Sequence, residues 1–294
     1  MMPSSSRADD VVEKISGEGY HYHLIKNFKY PKGIRIAVNF TFDFDSMLKL
    51  RLSNEPIMEL TEGEFGGRVG IWNALDLFDR QNIKFTLFTP GRICELYPDA
   101  VREAQKRGHE IANHTWEHRV PKEPELERDH LRKATDALEK LCGKKPVGTR
   151  SNHKISSLNA EGYLYDSQRF KDSDEIPYYV LQDGGQSCIL NLPFHLVTDD
   201  AMYFRFGWQG ATNAGNRLAD PEHVYQILTS AFRQYYKMGK YFNVCCHPYI
   251  SGRSMRIAVL ERLIVDMKKM PGVWFCTCEE LARYCLENFP APTK

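Results

Sequence analysis

Long apolar runs are missing from this chain. No stretch of its 294 residues approaches the roughly 20 consecutive apolar positions that a bilayer-spanning helix needs, so no membrane partner is expected. Residues 1–14 read MMPSSSRADDVVEK and lack the apolar core of a signal peptide. A cytoplasmic location is the expectation, and small metabolites are commoner substrates there than cell-wall polymers. An excess of one charge is missing as well: Lys+Arg is 39 against Asp+Glu 38, a formal net charge of +1. Nucleic-acid binders place a strongly basic face against phosphate, so no nucleic-acid partner is expected. Eight cysteines are present, yet none makes a CxxC pair. Cys245 and Cys246 are adjacent, and Cys276 and Cys278 lie two apart, neither being the spacing of a zinc or redox motif. Free buried thiols are the expectation. No internal repeat and no low-complexity linker breaks the chain.

What remains is enough apolar residue for a core, 42%, and an alternation of two periods. Residues 34–42 (IRIAVNFTF), 83–89 (IKFTLFT), 109–113 (HEIAN), 241–247 (YFNVCCH) and 273–277 read as strands. Residues 67–81, 98–107, 124–142, 221–238, 254–270 and 279–288 read as helices, several opened by proline or closed by glycine. Strand alternating with helix predicts a parallel sheet in one α/β barrel-like domain over residues 31–294, preceded by an arm at 1–30. Two further strand-like segments, 176–181 and 187–194, lie in a middle of weak period, 148–218. That middle reads as loops and short strands able to shape a pocket.

Reactive side chains cluster where three predicted strands end: Asp43-Phe44-Asp45, then His114-Thr115-Trp116-Glu117-His118, then His247-Pro248. Barrel enzymes carry their sites at those ends. Taken singly, the Asp pair reads as a turn, HxxxH as a solvated helix face and His-Pro as another turn. Their joint occurrence points to a site. Asp45, His114 and His118 make a three-ligand N/O set with open positions, the catalytic pattern for one divalent metal ion, with zinc the expected ion. Two other residues have paired readings. Arg68 either contacts substrate or pairs with Glu64, and Asp200, with Asp199, either contacts a polar substrate or caps a loop.

These motifs resemble those of the polysaccharide deacetylases with NodB homology (carbohydrate esterase family four). TFDFD at 41–45, HTWEH at 114–118 and His247-Pro248 match its first, second and fifth motifs. EFGGRVG at 64–70, Gly108-His109-Glu110, Tyr165-Asp166-Ser167, Ile176-Pro177-Tyr178 and Gly252-Arg253 match the branch holding peptidoglycan-deacetylase-like proteins, bacterial allantoinases and cyclic imide hydrolases. The likeness spans about residues 30–290. It implies a distorted (β/α)7 barrel of NodB type. Asp43 is implied as general base, Asp45, His114 and His118 as metal ligands, His247 as general acid and Arg150 as the arginine orienting the base. It also implies a small-molecule substrate and allows a homo-oligomer. Two departures stand out. Arg150 is followed by Ser151-Asn152-His153 without the usual proline, and an insertion at 47–63 lies beside the first motif, where it can cover the site.

The expected chemistry is hydrolysis of a C–N amide bond, with the ion polarising a carbonyl. The insertion and the aromatic middle (Tyr178, Tyr179, Tyr203, Phe204, Phe206, Trp208) suggest a closed pocket and small cyclic amides, either imides or ureides. An N-acetyl-sugar or peptidoglycan-type deacetylase is the second reading, and a non-catalytic binding protein on the same fold the third.

Overall fold

Alternation along the first long strand of the barrel organises the molecule. The computed structural model describes residues 21–53, 57–167, 174–204 and 219–292. Ten strands form among them: β1 (His21–Leu24), β2 (Ile36–Asp43), β3 (Thr86–Thr89), β4 (Glu110–Asn113), β5 (Gly148–Thr149), β6 (Tyr165–Asp166), β7 (Tyr178–Gln182), β8 (Ser187–Asn191), β9 (Tyr241–Cys246) and β10 (Val273–Phe275). On β2, the odd positions Ala37, Asn39, Thr41 and Asp43 alternate with Ile36, Val38, Phe40 and Phe42, because successive side chains leave opposite faces of a strand. The even set packs outward on Leu75 and Phe78 of helix Ile71–Arg80 and on Leu260 and Ile264 of helix Ser254–Lys268. Phe78 meets Phe40 and Phe42 edge-on, with centroids 5.3 and 5.7 Å apart. The odd set faces the barrel interior, where Asn39 accepts from the Tyr241 hydroxyl at 2.6 Å.

Seven strands run parallel in the spatial order β9, β2, β3, β4, β5, β6, β8. Between β8 and β9 only the Asp199–Cys245 bridge links the ends among the described residues. This is the distorted, unclosed (β/α)7 arrangement of the NodB type. β10 adds in parallel to Ile36–Val38.

The expectation of an all-parallel sheet is corrected at one edge. β7 pairs antiparallel with β8, and β1 pairs antiparallel with β7. Only residues 183–186 join β7 to β8, with Gly184 and Gly185 at φ 64° and 86°, and a parallel crossover needs a dozen residues or more. Residues 21–30, read above as part of an arm, supply β1 and anchor the Tyr30 hydroxyl on the Lys240 carbonyl at 2.9 Å. Residues 1–20 lie outside the described residues.

The inserted segment at 47–63 contributes helices Leu48–Arg51 and Ile57–Phe65, the latter running through a wide π-turn, Gly66–Gly70, into Ile71–Arg80. That turn packs on the short helix Pro248–Ser251 directly after His247. A Cβ on Gly70 would strike the Pro248 carbonyl oxygen, so glycine there is a requirement of close approach. No helix among the described residues is long and apolar enough to cross a membrane.

Candidate active site

Four interior columns of side chains end in a reactive group. Asp43 and Asp45 continue the odd column of β2, and the spacer of one keeps both on the inner side. His114 follows Glu110 and Ala112 of β4, Arg150 follows Gly148 of β5, and His247 follows Tyr241, Asn243 and Cys245 of β9. Four strands thus present their carboxyl ends to one place.

The candidate ligand atoms of Asp45, His114 and His118 all lie within 4.8 Å of one another. His114 Nε2 and His118 Nε2 stand 3.3 and 3.6 Å from Asp45 Oδ1. Asp45 Oδ1 and His114 Nε2 are sealed from solvent yet have no hydrogen-bond partner. Leaving such groups unmatched costs about 1–3 kcal/mol each. A divalent cation satisfies both, and carboxylate with imidazole is the donor set for zinc and similar ions. His114 Nδ1 lies 2.6 Å from the Arg150 carbonyl oxygen. That oxygen only accepts, so Nδ1 carries the proton and Nε2 keeps its lone pair for an ion. Burial would raise Asp45, but the imidazoles of His118, His114 and His247 hold it well below the usual carboxylate range.

Two candidate proton-transfer groups, Asp43 and His247, flank this cluster. Asp43 Oδ1 accepts from Arg150 Nη1 at 2.5 Å. The guanidinium is buried, bound also to Thr41 and Ser167 Oγ at 3.1 Å each, and held between the Phe88 and Phe194 rings at 4.2 and 4.4 Å. The missing proline after Arg150 therefore does not displace it: Ser151 N bonds Asp166 Oδ1 and buried His153 pairs with Glu127 at 2.7 Å. On the other side, His247 Nδ1 lies 2.7 Å from Asp200 Oδ1, and its Nε2 lies 3.7 Å from Asp45 Oδ2. Burial opposes a charged imidazole, but the charge and hydrogen bond of Asp200 dominate and raise His247 to about 10. Burial likewise pushes Asp199 up to about 6.

The loops carrying these groups are strained. Ser46 and Met47, directly after Asp45, have φ of 45° and 58°, and Thr115 and His118 have 71° and 57°. Each such residue costs about 1–3 kcal/mol and persists only where its surroundings enforce it.

Both Asp200 carboxylate oxygens are engaged within the protein: one faces His247 Nδ1, and the other accepts from His247 N at 2.9 Å and Ser251 Oγ at 2.6 Å. Asp199 caps the next helix by accepting from Ala201 N at 2.9 Å. Arg68 does not hydrogen-bond Glu64, whose Oε1 is taken by Arg51 at 2.6 Å and by the Tyr97 hydroxyl at 2.8 Å. Arg68 is exposed on the π-turn, where its charge adds to those that hold Glu64 below the usual carboxylate range. Tyr178 and Tyr179 are buried in the sheet edge rather than lining a pocket, while Phe206 and Trp208 lie outside the described residues. Sequence reasoning missed Phe88, Phe194 and Ser251, which support Arg150 and Asp200. Of these only Phe88 carried a signal, as the inward-facing residue paired in register with Asp43.

A buried carboxylate–imidazole cluster flanked by Asp43 and His247 lies at the carboxyl ends of an open (β/α)7 barrel, an arrangement suited to hydrolysis. Comparison with known proteins agrees. The polysaccharide deacetylase family model matches residues 63–156. A peptidoglycan deacetylase of Helicobacter pylori is 26% identical, over 79% of this chain and 89% of that one. A peptidoglycan deacetylase-like protein of Gibberella zeae is 26% identical over 93% and 94% of the two chains. Among solved structures, a Mycobacterium smegmatis protein described as a polysaccharide deacetylase superposes with a TM-score of 0.80 at 28% identity, covering 91% and 96% of the chains. An allantoinase shares the fold at TM-score 0.78 and 24% identity over 91% and 96%. Fold and sequence thus both place the chain beside the polysaccharide deacetylases, which it resembles over most of its length.

Elemental analysis is expected to find about one divalent ion per chain, lost in His114→Ala. Full turnover by rigorously metal-free protein would refute this assignment.

Proposed function

We propose that the protein hydrolyses C–N amide bonds of small cyclic amides, imides or ureides, with Asp45, His114 and His118 holding one divalent ion, zinc being the best match to the donors. When bound there, the ion supplies Lewis acidity toward a carbonyl oxygen and a more acidic water. Asp43 is the general base, taking the proton of the attacking water, and Arg150 fixes the orientation of its carboxylate. His247 Nε2 gives a proton to the leaving nitrogen, and Asp200 holds that imidazole protonated. Acid and base must each come within hydrogen-bond reach of the reacting atoms, and both lie beside Asp45.

The observation that carries the small-ring reading is enclosure. Asp43, Asp45 and His247 are only 6%, 8% and 7% exposed, which suits a planar ring in a recess better than a chain of sugars in a groove. The allantoinase with this fold is named for a ureide ring. The peptidoglycan deacetylase relatives favour the second reading, removal of acetyl from an N-acetyl sugar. The intact acid, base and ligand set argues against a purely binding role.

A parallel assay of succinimide, dihydrouracil, hydantoin, allantoin and an N-acetylglucosamine oligomer separates these. Ring opening is expected to outpace acetate release. Acetate from the oligomer with all four rings untouched would reverse the order of the two readings.

A further inference from the structure

His118 is the least supported of the three ligand candidates. His114 is buried and tied through Nδ1 to the Arg150 carbonyl. The His118 side chain is 33% exposed, and among the described residues no hydrogen bond reaches its Nδ1. Its placement therefore depends on its backbone. That backbone is bent into the left-handed region at both Thr115 and His118, a conformation that needs external enforcement.

The loop after β3 supplies the enforcement. Gly91 N donates to the Thr115 carbonyl at 2.9 Å, and Arg92 N donates to the Trp116 carbonyl at 3.1 Å. A Cβ on Gly91 would collide with the Trp116 ring, so the two loops meet where only glycine fits. The Arg92 guanidinium then covers the bend. Its centre lies 4.8 Å from the Trp116 ring centroid. Nε and Nη2 reach Glu117 Oε1 at 3.2 and 3.0 Å, and Nη1 reaches Glu95 at 3.1 Å. Two of the three residues between the histidines are thereby gripped by one side chain, through a stacked ring and a two-pronged ion pair that lysine does not reproduce.

We propose that Arg92 is a positioning residue for the metal site: by clamping Trp116 and Glu117 to the loop after β3, it presents His118 Nε2 to Asp45 and sets the affinity for the ion. It touches neither ion nor substrate. The proposal rests on the reading of Asp45, His114 and His118 as a metal site.

The test is Zn2+ affinity of the metal-stripped full chain, measured by competition with a chromogenic chelator. Wild type is expected to bind tightly. Arg92→Ala is expected to raise Kd about 10–100-fold, the range for residues that support a ligand from behind, and Arg92→Lys to fall between. Because Arg92 acts through His118, saturating Zn2+ is expected to restore turnover in Arg92→Ala. Arg107→Ala, which breaks a comparable surface network with Asp76, Asp79 and Glu103, is expected to leave Kd unchanged. If Arg92→Ala is too unstable to purify, Arg92→Lys carries the comparison. Wild-type Kd in the Arg92 variants overturns the proposal and leaves the metal site standing, as does an equal loss in Arg107→Ala. A wild-type chain that binds no Zn2+ overturns both.

Discussion

Asp43→Asn is expected to lower turnover roughly 10²–10⁴-fold, the contribution of a positioned general base, while metal content stays at the wild-type level. Asparagine keeps the shape of the side chain and its acceptor oxygen, so the 2.5 Å contact with Arg150 has a geometric successor. What it removes is the group that takes a proton. It also leaves the buried Arg150 guanidinium without its counter-charge, and breaking a buried pair typically costs about 3–5 kcal/mol. A lower melting temperature is thus expected alongside the kinetic loss. Rate must therefore be measured per folded, metal-loaded molecule, with circular dichroism and elemental analysis on the same sample. Turnover within a few-fold of wild type in such a sample would remove Asp43 from the mechanism. His114 Nε2 is 3.6 Å from Asp43 Oδ2, so retained metal separates a base from a fourth ligand: loss of the ion in Asp43→Asn would make Asp43 a ligand instead.

The second large effect concerns the opposite side of the site. Asp200→Asn is expected to collapse activity at neutral and alkaline pH and to spare more of it at low pH. The sign follows from His247. An acid donates only while protonated, so activity falls as pH rises through its pKa. Against burial, which lowers it, Asp200 keeps that pKa raised to about 10. Without the Asp200 charge, burial acts with less opposition, and the alkaline limb of kcat/KM moves to lower pH. Where His247 has lost its proton, the variant approaches loss of the acid altogether, roughly 10²–10⁴-fold. The measurement is the full pH–rate profile of both proteins, with His247→Gln as the reference for no acid. An alkaline limb unchanged in Asp200→Asn would exclude the charge of Asp200 as its cause.

Long periodic elements were legible before any coordinates. Helices Pro124–Cys142 and Pro221–Met238 begin and end where proline and glycine place them, because a first-turn proline sacrifices no hydrogen bond and a glycine past the end accepts φ of 70° and 67°. Strands β2, β4 and β9 were equally plain. The middle was not. β5 and β6 hold two residues each, and a period cannot be read from two positions. They exist because β4 on one side and β8 on the other hold them in the ladder. β7 was visible as a strand but not as antiparallel, since direction depends on which neighbour it meets.

The same division runs through the site. The one-residue spacer in Asp43-Phe44-Asp45, the pair His114 and His118, and His247 at the end of its strand were all determined by sequence, since residue type and the period of two decide what reaches the inner face. Tertiary structure alone decided the supports. Phe88 from β3 and Phe194 from the loop after β8 hold Arg150 between them. Asp200, 47 residues before His247 in the chain, turns its carboxylate to that imidazole and to Ser251. Arg92 closes over the loop between His114 and His118. A local pattern specifies which atoms a strand can present. Which distant residues orient those atoms is set by how strands and helices pack, and packing leaves no period in the chain to be read.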